Sequence, residues 1–185
     1  MSGVHPNFDP ANLYFVTTTA VQHARLFRRD VVKRIIVDSL DYMRVQDWIK
    51  LHAFVVMPNH IHFIARFLEG HILSDVMREF KKHTSKQIVR QYQVEANRRV
   101  LAFLERAACH IPDQQYKVWD DGYDARDVFS PDFLRQKVEY IHNNPCQPQW
   151  NLAARPEDYP WSSARYYVLG EPAIIAVDDV GELMV

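Results

Sequence analysis

The hydrophobic positions along the chain follow two spacings, one typical of strands and one typical of helices. Residues 13–21 and 49–57 are rich in aromatic and β-branched side chains, so each stretch predicts a strand. Pro58 and Asn59 directly follow the second stretch, and residues 61–67 beyond them have the same composition. We therefore expect the second and third strands to form a hairpin around this turn.

Apolar residues three or four positions apart predict the helices. This spacing covers residues 30–45 and 73–92 and continues, after a bend, over residues 95–108. A further helix is expected to begin at Ser130, because a serine cap followed by proline is typical of a helix N-terminus. It should stop before Pro145, which disfavours helical geometry at the residue that precedes it.

The order of these elements indicates the fold. With residues 116–119 as a short fourth strand, the chain follows the ferredoxin-like βαββαβ pattern. The predicted class is α+β, an antiparallel sheet with helices on one face and the other face partly free for a metal or nucleic acid. We expect one domain over residues 1–185, with a core of about residues 13–145 that includes an added C-terminal helix. Residues 146–185, rich in proline and aromatics, should form an extended tail with a short helix.

Composition narrows the class of protein. The 185 residues are 48% hydrophobic, which fits a globular domain with a sizeable core. The two cysteines, Cys109 and Cys146, are too few for a disulfide framework and lack the spacing of a metal site. The sequence has neither the pattern of a signal peptide nor an apolar run long enough for a membrane span. We therefore expect a cytoplasmic protein with reduced thiols and no membrane partner.

The distribution of charge bears on nucleic-acid binding more than the net charge does. A formal net charge of −1 lacks the basic excess that is typical of nucleic-acid-binding proteins. However, Arg78, Lys82 and Lys86 recur every four residues on the second predicted helix and so share one face. Such a row can follow a phosphate backbone or can form an ordinary solvated face, and both interpretations stay open.

Two histidines are the candidate metal ligands. His60 and His62 flank Ile61 on the third predicted strand, and side chains two positions apart point to the same face of a sheet. Two imidazoles on one face can chelate one divalent ion and leave positions for water and substrate oxygens. A chance pair on an exposed strand is the alternative.

Tyr140 is a candidate nucleophile. On its predicted helix, Leu134, Val138 and Ile141 form the expected core stripe, and a neighbouring stripe carries Lys137 and Tyr140. The tyrosine hydroxyl can then reach a site at the edge of the core. A free phenol has a pKa of about 10 and is a weak nucleophile, so attack on a phosphodiester would need a metal. These residues alone do not separate Tyr140 from the other eight tyrosines, and packing is the alternative.

Four motifs resemble those of a known family. Residues 55–62 (VVMPNHIH) and 140–145 (YIHNNP) resemble the two signatures of the HUH-type single-tyrosine transposases. Residues 80–85 (FKKHTS) are similar to the helix that follows the histidine strand in that family. Residues 158–163 (DYPWSS) resemble a tail motif of its REP-associated tyrosine transposase branch, which is related to the transposases of small bacterial insertion sequences. The likeness spans about residues 13–167.

The resemblance implies an activity and the residues that perform it. His60 and His62 would bind a divalent ion such as Mg²⁺ or Mn²⁺. Tyr140 would attack a DNA phosphate and form a 5′-phosphotyrosine link, which a 3′-hydroxyl could later reverse. Family members often take a third ligand one turn beyond the tyrosine, which is Asn144 here, with His142 as a substitute. A non-helical backbone at residue 144, expected from the following proline, would weaken that assignment.

The resemblance also implies the partner. Substrates in the family are single strands that flank short hairpins, and the chain would act on them as a monomer or a homodimer. One alternative is a descendant that binds hairpin DNA without cutting it. Another is a histidine-triad nucleotide hydrolase, but Ile64 stands where that motif has its third histidine. Residues 94–115 exceed what the family core requires. The candidate DNA contacts are Arg78, Lys81, Lys82, Lys86 and Lys137.

Overall fold

The computed structural model describes residues 8–180 as an α+β fold built on one antiparallel sheet. The strands lie in the order β2-β3-β1-β4. They are β1 (Leu13–Thr19), β2 (Ile49–Val56), β3 (His60–Phe67) and β4 (Asp124–Val128). The helices are α1 (Asp30–Val45), α2 (Leu73–Val94), α3 (Arg98–Ala108), α4 (Pro131–Asn143) and α5 (Ala164–Leu169).

The predicted hairpin is confirmed: its first strand, β2, forms one edge of the sheet, and its second strand, β3, lies inside it. β2 and β3 pair in antiparallel fashion, and the Met57 N–H donates to the His60 carbonyl at 2.8 Å across the turn. On its other side β3 pairs with β1, in a register that sets Thr17 opposite His62. The histidine strand is therefore central, with both backbone edges hydrogen-bonded, which holds its side chains in fixed positions.

Helices cover both faces of the sheet. The side chains of Tyr14, Ile61 and Phe63 are fully buried on one face, where α1 contacts both β2 and α2. The tyrosine helix α4 packs against β2 and β3 on the other face, which carries His62. The face that the sequence predicts as partly free is thus partly covered by α4.

The prediction of a fourth strand at residues 116–119 is wrong, because this stretch forms only an isolated bridge between Trp119 and Ala20. The Trp119 indole is buried in the core, where its Nε1 donates to Thr84 Oγ1 at 2.9 Å. The aromatic residues that predicted a strand here therefore reflect packing in the core. The actual strand, β4, has the polar sequence DARDV and pairs with β1 at the sheet edge, where solvent accommodates charged side chains.

The region between α2 and β4 contains one helix that the sequence predicts. α2 ends at Val94, Ala96 has a positive φ of 50°, and α3 begins after Asn97, whose Oδ1 accepts from the Val100 N–H at 3.2 Å. This break is the expected bend.

The expected tail with a short helix is present and lies along the outer edge of β2. Trp161 accepts a hydrogen bond at its carbonyl from the Val56 N–H at 2.8 Å, and the Asp178 N–H donates to the Leu51 carbonyl at 2.7 Å. The Tyr159 hydroxyl adds a buried bond to the Val56 carbonyl at 2.8 Å. The tail thereby satisfies backbone groups of an edge strand that would otherwise be open to pairing with another chain.

Two further expectations concern cysteines and membranes. Cys109 and Cys146 are both free thiols. Over residues 8–180, no helix is long and apolar enough to cross a membrane.

Candidate active site

His60 and His62 lie side by side on one face of the central strand β3. Their ring centroids are 4.6 Å apart, while the Ile61 side chain between them is fully buried on the opposite face. His62 is 5% exposed, and His60 is partly exposed. The strand alternation expected from the sequence thus holds, and both rings face the same space.

The turn before β3 determines which nitrogen of His60 carries the proton. Asn59 donates from Nδ2 to the His23 carbonyl at 3.0 Å, which leaves its Oδ1 to accept from His60 Nδ1 at 2.7 Å. Since Nδ1 holds the proton, Nε2 of His60 carries a lone pair. This second contact orients the ring in the way that carbonyl and carboxylate partners orient metal-binding histidines.

His62 has one nitrogen engaged and one unsatisfied. Its Nδ1 lies 2.8 Å from Thr17 Oγ1 on β1, and its ring stacks on Phe15 at a centroid distance of 5.3 Å. Nε2 is buried and has no hydrogen-bond partner among residues 8–180. Leaving a buried polar atom unsatisfied is costly, so such an atom calls for an explanation. A cation bound between the two imidazoles would satisfy it, and the donor set fits a divalent ion.

Electrostatics keep both imidazoles neutral. Burial, with a smaller contribution from nearby His23, lowers the pKa of His60 to about 4. Burial also lowers the pKa of His62 to about 3, helped by the charges of His60 and Lys137. Both rings are therefore deprotonated at neutral pH, which is the form that binds metals.

Tyr140 lies beside the histidines in the same chain. Leu134, Val138 and Ile141 on α4 are buried as expected, whereas Tyr140 is 49% exposed. Its ring centroid is 5.3 Å from that of His62 and approaches the ring edge-on. The fold therefore brings together the phenol and the two imidazoles selected from the sequence.

Lys137, one turn before Tyr140, holds its ammonium over three aromatic rings. Its Nζ is 4.8 Å from the centroid of Phe15, 5.0 Å from that of Phe133 and 5.6 Å from that of Tyr140. Within the described part of the chain it has no carboxylate partner. A cation thus stands next to the site with its charge uncompensated.

Asn144 and His142, the two candidates for a third ligand, have different surroundings. α4 ends at Asn143, before Pro145, as expected, but Asn144 keeps helical φ and ψ of −55° and −46°, so the expected non-helical backbone at this residue is wrong. The chain passes from α4 into a 3-10 turn, and Asn144 lies buried one turn beyond Tyr140, on the same helix face. His142 instead places Nε2 2.8 Å from Ser163 Oγ in the tail, and burial lowers its pKa to about 4.

The basic residues of α2 lie on the side of the sheet away from the histidines. Arg78 pairs with Asp75 at 2.6 Å, and Lys82 lies 4.0 Å from Glu79. Lys86 is also exposed on this helix. Their predicted contact with DNA stays a prediction.

Lys81 differs from these residues because it is half-buried. It donates to the backbone carbonyls of Asp120, at 2.7 Å, and Gly122, and burial lowers its pKa to about 8. Its observed contacts tie α2 to the loop before β4, while its predicted role in DNA binding stays untested.

Sequence reasoning missed several residues that shape the site. Thr17, Phe15 and Asn59 touch the histidine rings, and strand alternation could have identified the first two once the pairing of β1 with β3 was known. Trp150 contacts His60 at a ring-centroid distance of 5.6 Å, and the Arg25 guanidinium lies 5.4 Å from the Trp150 ring centroid. Nothing local in the sequence signals this last pair.

The fold is similar to that of a solved transposase. A structure described as a REP-associated tyrosine transposase bound to a REP hairpin is 20% identical to this chain, with a TM-score of 0.64. The match covers 97% of this chain and 93% of that one. A structure described as that of a transposase from Deinococcus radiodurans R1 is 18% identical over 71% of this chain and 88% of that one, with a TM-score of 0.47.

The sequence match places the chain in a family. The sequence model of the family described as IS200-like transposases matches residues 11–144, which include both histidines and the tyrosine helix. The chain belongs to this family. No curated protein matches it.

Proposed function

We propose that this protein is a metal-dependent endonuclease and strand transferase of single-stranded DNA, acting near DNA hairpins with Tyr140 as the nucleophile. The observation that carries the proposal is the convergence, in one chain, of two neutral imidazoles and a half-exposed phenol. Membership in the IS200-like family supports a role in DNA transposition.

The proposed ion would be held by the imidazoles of His60 and His62 through their Nε2 atoms. Within residues 8–180 no group of three His, Cys, Asp or Glu side chains is arranged to hold a metal. The remaining positions would therefore go to neutral donors, such as the Asn144 amide and water, and to phosphate oxygens of the substrate. Mg²⁺ and Mn²⁺ accept such oxygen donors. When bound there, the ion supplies positive charge that offsets the charge developing on the phosphate.

Tyr140 performs the covalent step. Its phenolic oxygen forms a bond to the phosphorus while the bond from phosphorus to the 3′-oxygen breaks. The phenolic proton passes to water, and the leaving oxygen takes up a proton to become a free 3′-hydroxyl. The product is a 5′-phosphotyrosine, and attack by the same or another 3′-hydroxyl reverses the reaction and rejoins DNA.

Lys137 and the hairpin complete the proposed substrate contacts. The uncompensated ammonium of Lys137 lies beside Phe15 and Tyr140, where it can bind a phosphate of the strand that enters the site. The similar structure is described with a bound REP hairpin, which favours a hairpin with single-stranded flanks as the substrate. Because one chain contains both histidines and the tyrosine, a monomer suffices for cleavage.

The decisive test is the Tyr140→Phe variant, incubated with Mn²⁺ and hairpin DNA libraries with single-stranded flanks. We expect the wild-type protein to form a protein–DNA adduct that survives denaturation, and the variant to form none while it still binds DNA. Tyr42→Phe is the matched control, because Tyr42 is similarly exposed and lies on α1. An adduct in Tyr140→Phe would remove this assignment, and uncut but bound DNA under all metal conditions would favour a hairpin-binding regulator.

A further inference from the structure

Arg25 and Trp150 form a cation–π pair at the edge of the candidate active site. The Arg25 guanidinium carbon lies 5.4 Å from the Trp150 ring centroid, within the range of a cation–π contact. The Trp150 ring in turn lies 5.6 Å from that of His60. The pair therefore flanks His60, while Lys137 flanks His62 and Tyr140 on the other side.

The backbone around Arg25 is fastened to the histidine turn. The Ala20 N–H donates to the Asn59 carbonyl at 2.7 Å, and the Phe27 N–H donates to the Pro58 carbonyl at 2.8 Å. These two bonds enclose the segment that carries Arg25. Its position relative to His60 is thus set by the fold.

The backbone around Trp150 is fastened to the end of the tyrosine helix. Trp150 N–H donates to the Gln147 carbonyl at 2.9 Å, and Leu152 N–H donates to the Pro145 carbonyl at 2.9 Å. These bonds hold the turn that directly follows α4. The Arg25–Trp150 contact therefore joins the histidine turn to the tyrosine helix at the place where a substrate strand would cross between them.

The polar groups of this pair are not used by the protein. Arg25 is exposed and has no carboxylate partner in the described part of the chain, whereas Arg29, Arg34 and Arg44 nearby each pair with an acidic residue. The Trp150 indole N–H has no hydrogen-bond partner within residues 8–180. A partly exposed indole with a guanidinium against its ring and free N–H donors has the chemistry that recognises single-stranded nucleotides.

We propose that the Arg25–Trp150 pair is a nucleotide-binding subsite, which stacks the base next to the scissile phosphate and binds its backbone phosphate. This inference rests on the proposed function, since it places the base beside the bond that Tyr140 attacks. Stacking on this pair holds the strand on the His60 side, and Lys137 holds it on the His62 side. The two contacts together position the phosphate between the imidazoles and the phenol.

The test measures DNA binding in the full chain carrying Tyr140→Phe, so that cleavage does not interfere. The probe is a fluorescein-labelled hairpin oligonucleotide with mixed-sequence single-stranded flanks, followed by anisotropy. We expect Trp150→Ala and Arg25→Ala each to weaken binding by about tenfold or more, and Trp150→Phe to retain part of the affinity. Tyr42→Ala and Arg90→Ala, an exposed aromatic and an exposed cation on α1 and α2, should leave the affinity unchanged.

A second readout separates a subsite from a structural contact. Hairpins with 2-aminopurine at one flanking position at a time should show a fluorescence change on binding at one or two adjacent positions. That change should disappear in Trp150→Ala and persist in Trp150→Phe. A merely structural pair would lower the melting temperature and leave the positional pattern intact, which would overturn the proposal.

The outcomes for this subsite and for the proposed chemistry are distinguishable. If the parent protein with Tyr140 forms no adduct while the 2-aminopurine change still depends on Trp150, the cleavage mechanism fails and the subsite stands. If adduct formation and affinity in Trp150→Ala equal those of the wild type, the subsite fails and the chemistry stands. Arg25→Lys, which keeps the charge but loses the planar guanidinium, should bind more weakly than wild type if stacking matters.

Discussion

Thr17→Val offers a sharp test of how the candidate metal site is built. Valine has the shape and strand preference of threonine but lacks the hydroxyl, so the change removes the 2.8 Å contact to His62 Nδ1 and little else. With an ion on Nε2, the imidazole proton of His62 would lie on Nδ1, where the Thr17 hydroxyl can accept it. Without that hydroxyl, the metal-bound form would have a buried donor with no partner.

The structure sets the size of the effect. Since His62 is only 5% exposed, water cannot readily replace the lost partner. An unsatisfied buried polar group costs about 1–3 kcal/mol. Loss of such a supporting contact typically weakens metal binding by about 10–100-fold. At about 1.4 kcal/mol per factor of ten, the two ranges agree.

The assay titrates Mn²⁺ into each protein and follows free Mn²⁺ by electron paramagnetic resonance, with adduct formation measured against Mn²⁺ concentration. Thr19→Val is the matched control, because Thr19 is two residues along the same strand, lies opposite His60 and has no hydrogen bond to either histidine in the described structure. We expect Thr17→Val alone to need more Mn²⁺. Equal Mn²⁺ affinities in Thr17→Val, Thr19→Val and wild type would refute the reasoning.

Three other predictions follow from the site and its supports. Because the pKa values of His60 and His62 fall to about 4 and about 3 in the folded state, the unfolded chain takes up protons first on acidification. Metal-free protein should therefore lose stability as the pH falls from about 6.5 towards these values, by up to about 1.4 kcal/mol per pH unit and group. Ser163→Ala should destabilise the fold by about 1–3 kcal/mol and reduce the adduct yield, since its hydroxyl joins α4 to β2. Lys137→Gln should weaken DNA binding and reduce its salt slope by about one.

Each of these has its own control. For the first, stability is measured by denaturation in the presence of EDTA at a series of pH values. The free energy of unfolding should decline less steeply with falling pH when His60 and His62 are both changed to Asn. An equally steep decline would contradict the prediction. Ser85→Ala in α2 is the control for the tail contact, and equal stability losses in the two serine variants would contradict the second. Lys50→Gln is the matched control for the third, because Lys50 pairs with Asp47 at 3.1 Å and is not a candidate DNA contact. The third prediction fails if the two lysine variants have the same salt slope.

The sequence was most informative where a structural signal is local. The Pro58–Asn59 turn and the alternation around His60 and His62 are properties of a few consecutive residues, and the hairpin and the shared face followed from them. The stripe of Leu134, Val138 and Ile141 on α4 was equally readable, because helical periodicity depends only on spacing.

The fourth strand could not be found in the same way. β4 is polar and short, and its strand conformation depends on backbone hydrogen bonds to β1, more than a hundred residues earlier in the chain. Trp119, in the stretch expected to be that strand, is held instead by contacts with Phe27 and Thr84. A propensity scale takes account of the aromatic side chain itself but not of the residues that it contacts in the fold.

The sequence by itself determined the order of the main helices, the hairpin that carries the two histidines and, through motifs, the family. Only the tertiary structure decided that β4 forms one edge of the sheet, that Lys81 donates to loop carbonyls, and that Arg25 and Trp150 meet beside His60. The physical reason is how far apart along the sequence the interacting residues lie. Secondary structure follows from neighbours along the chain, whereas strand pairing, burial and contacts between distant side chains depend on how the elements pack.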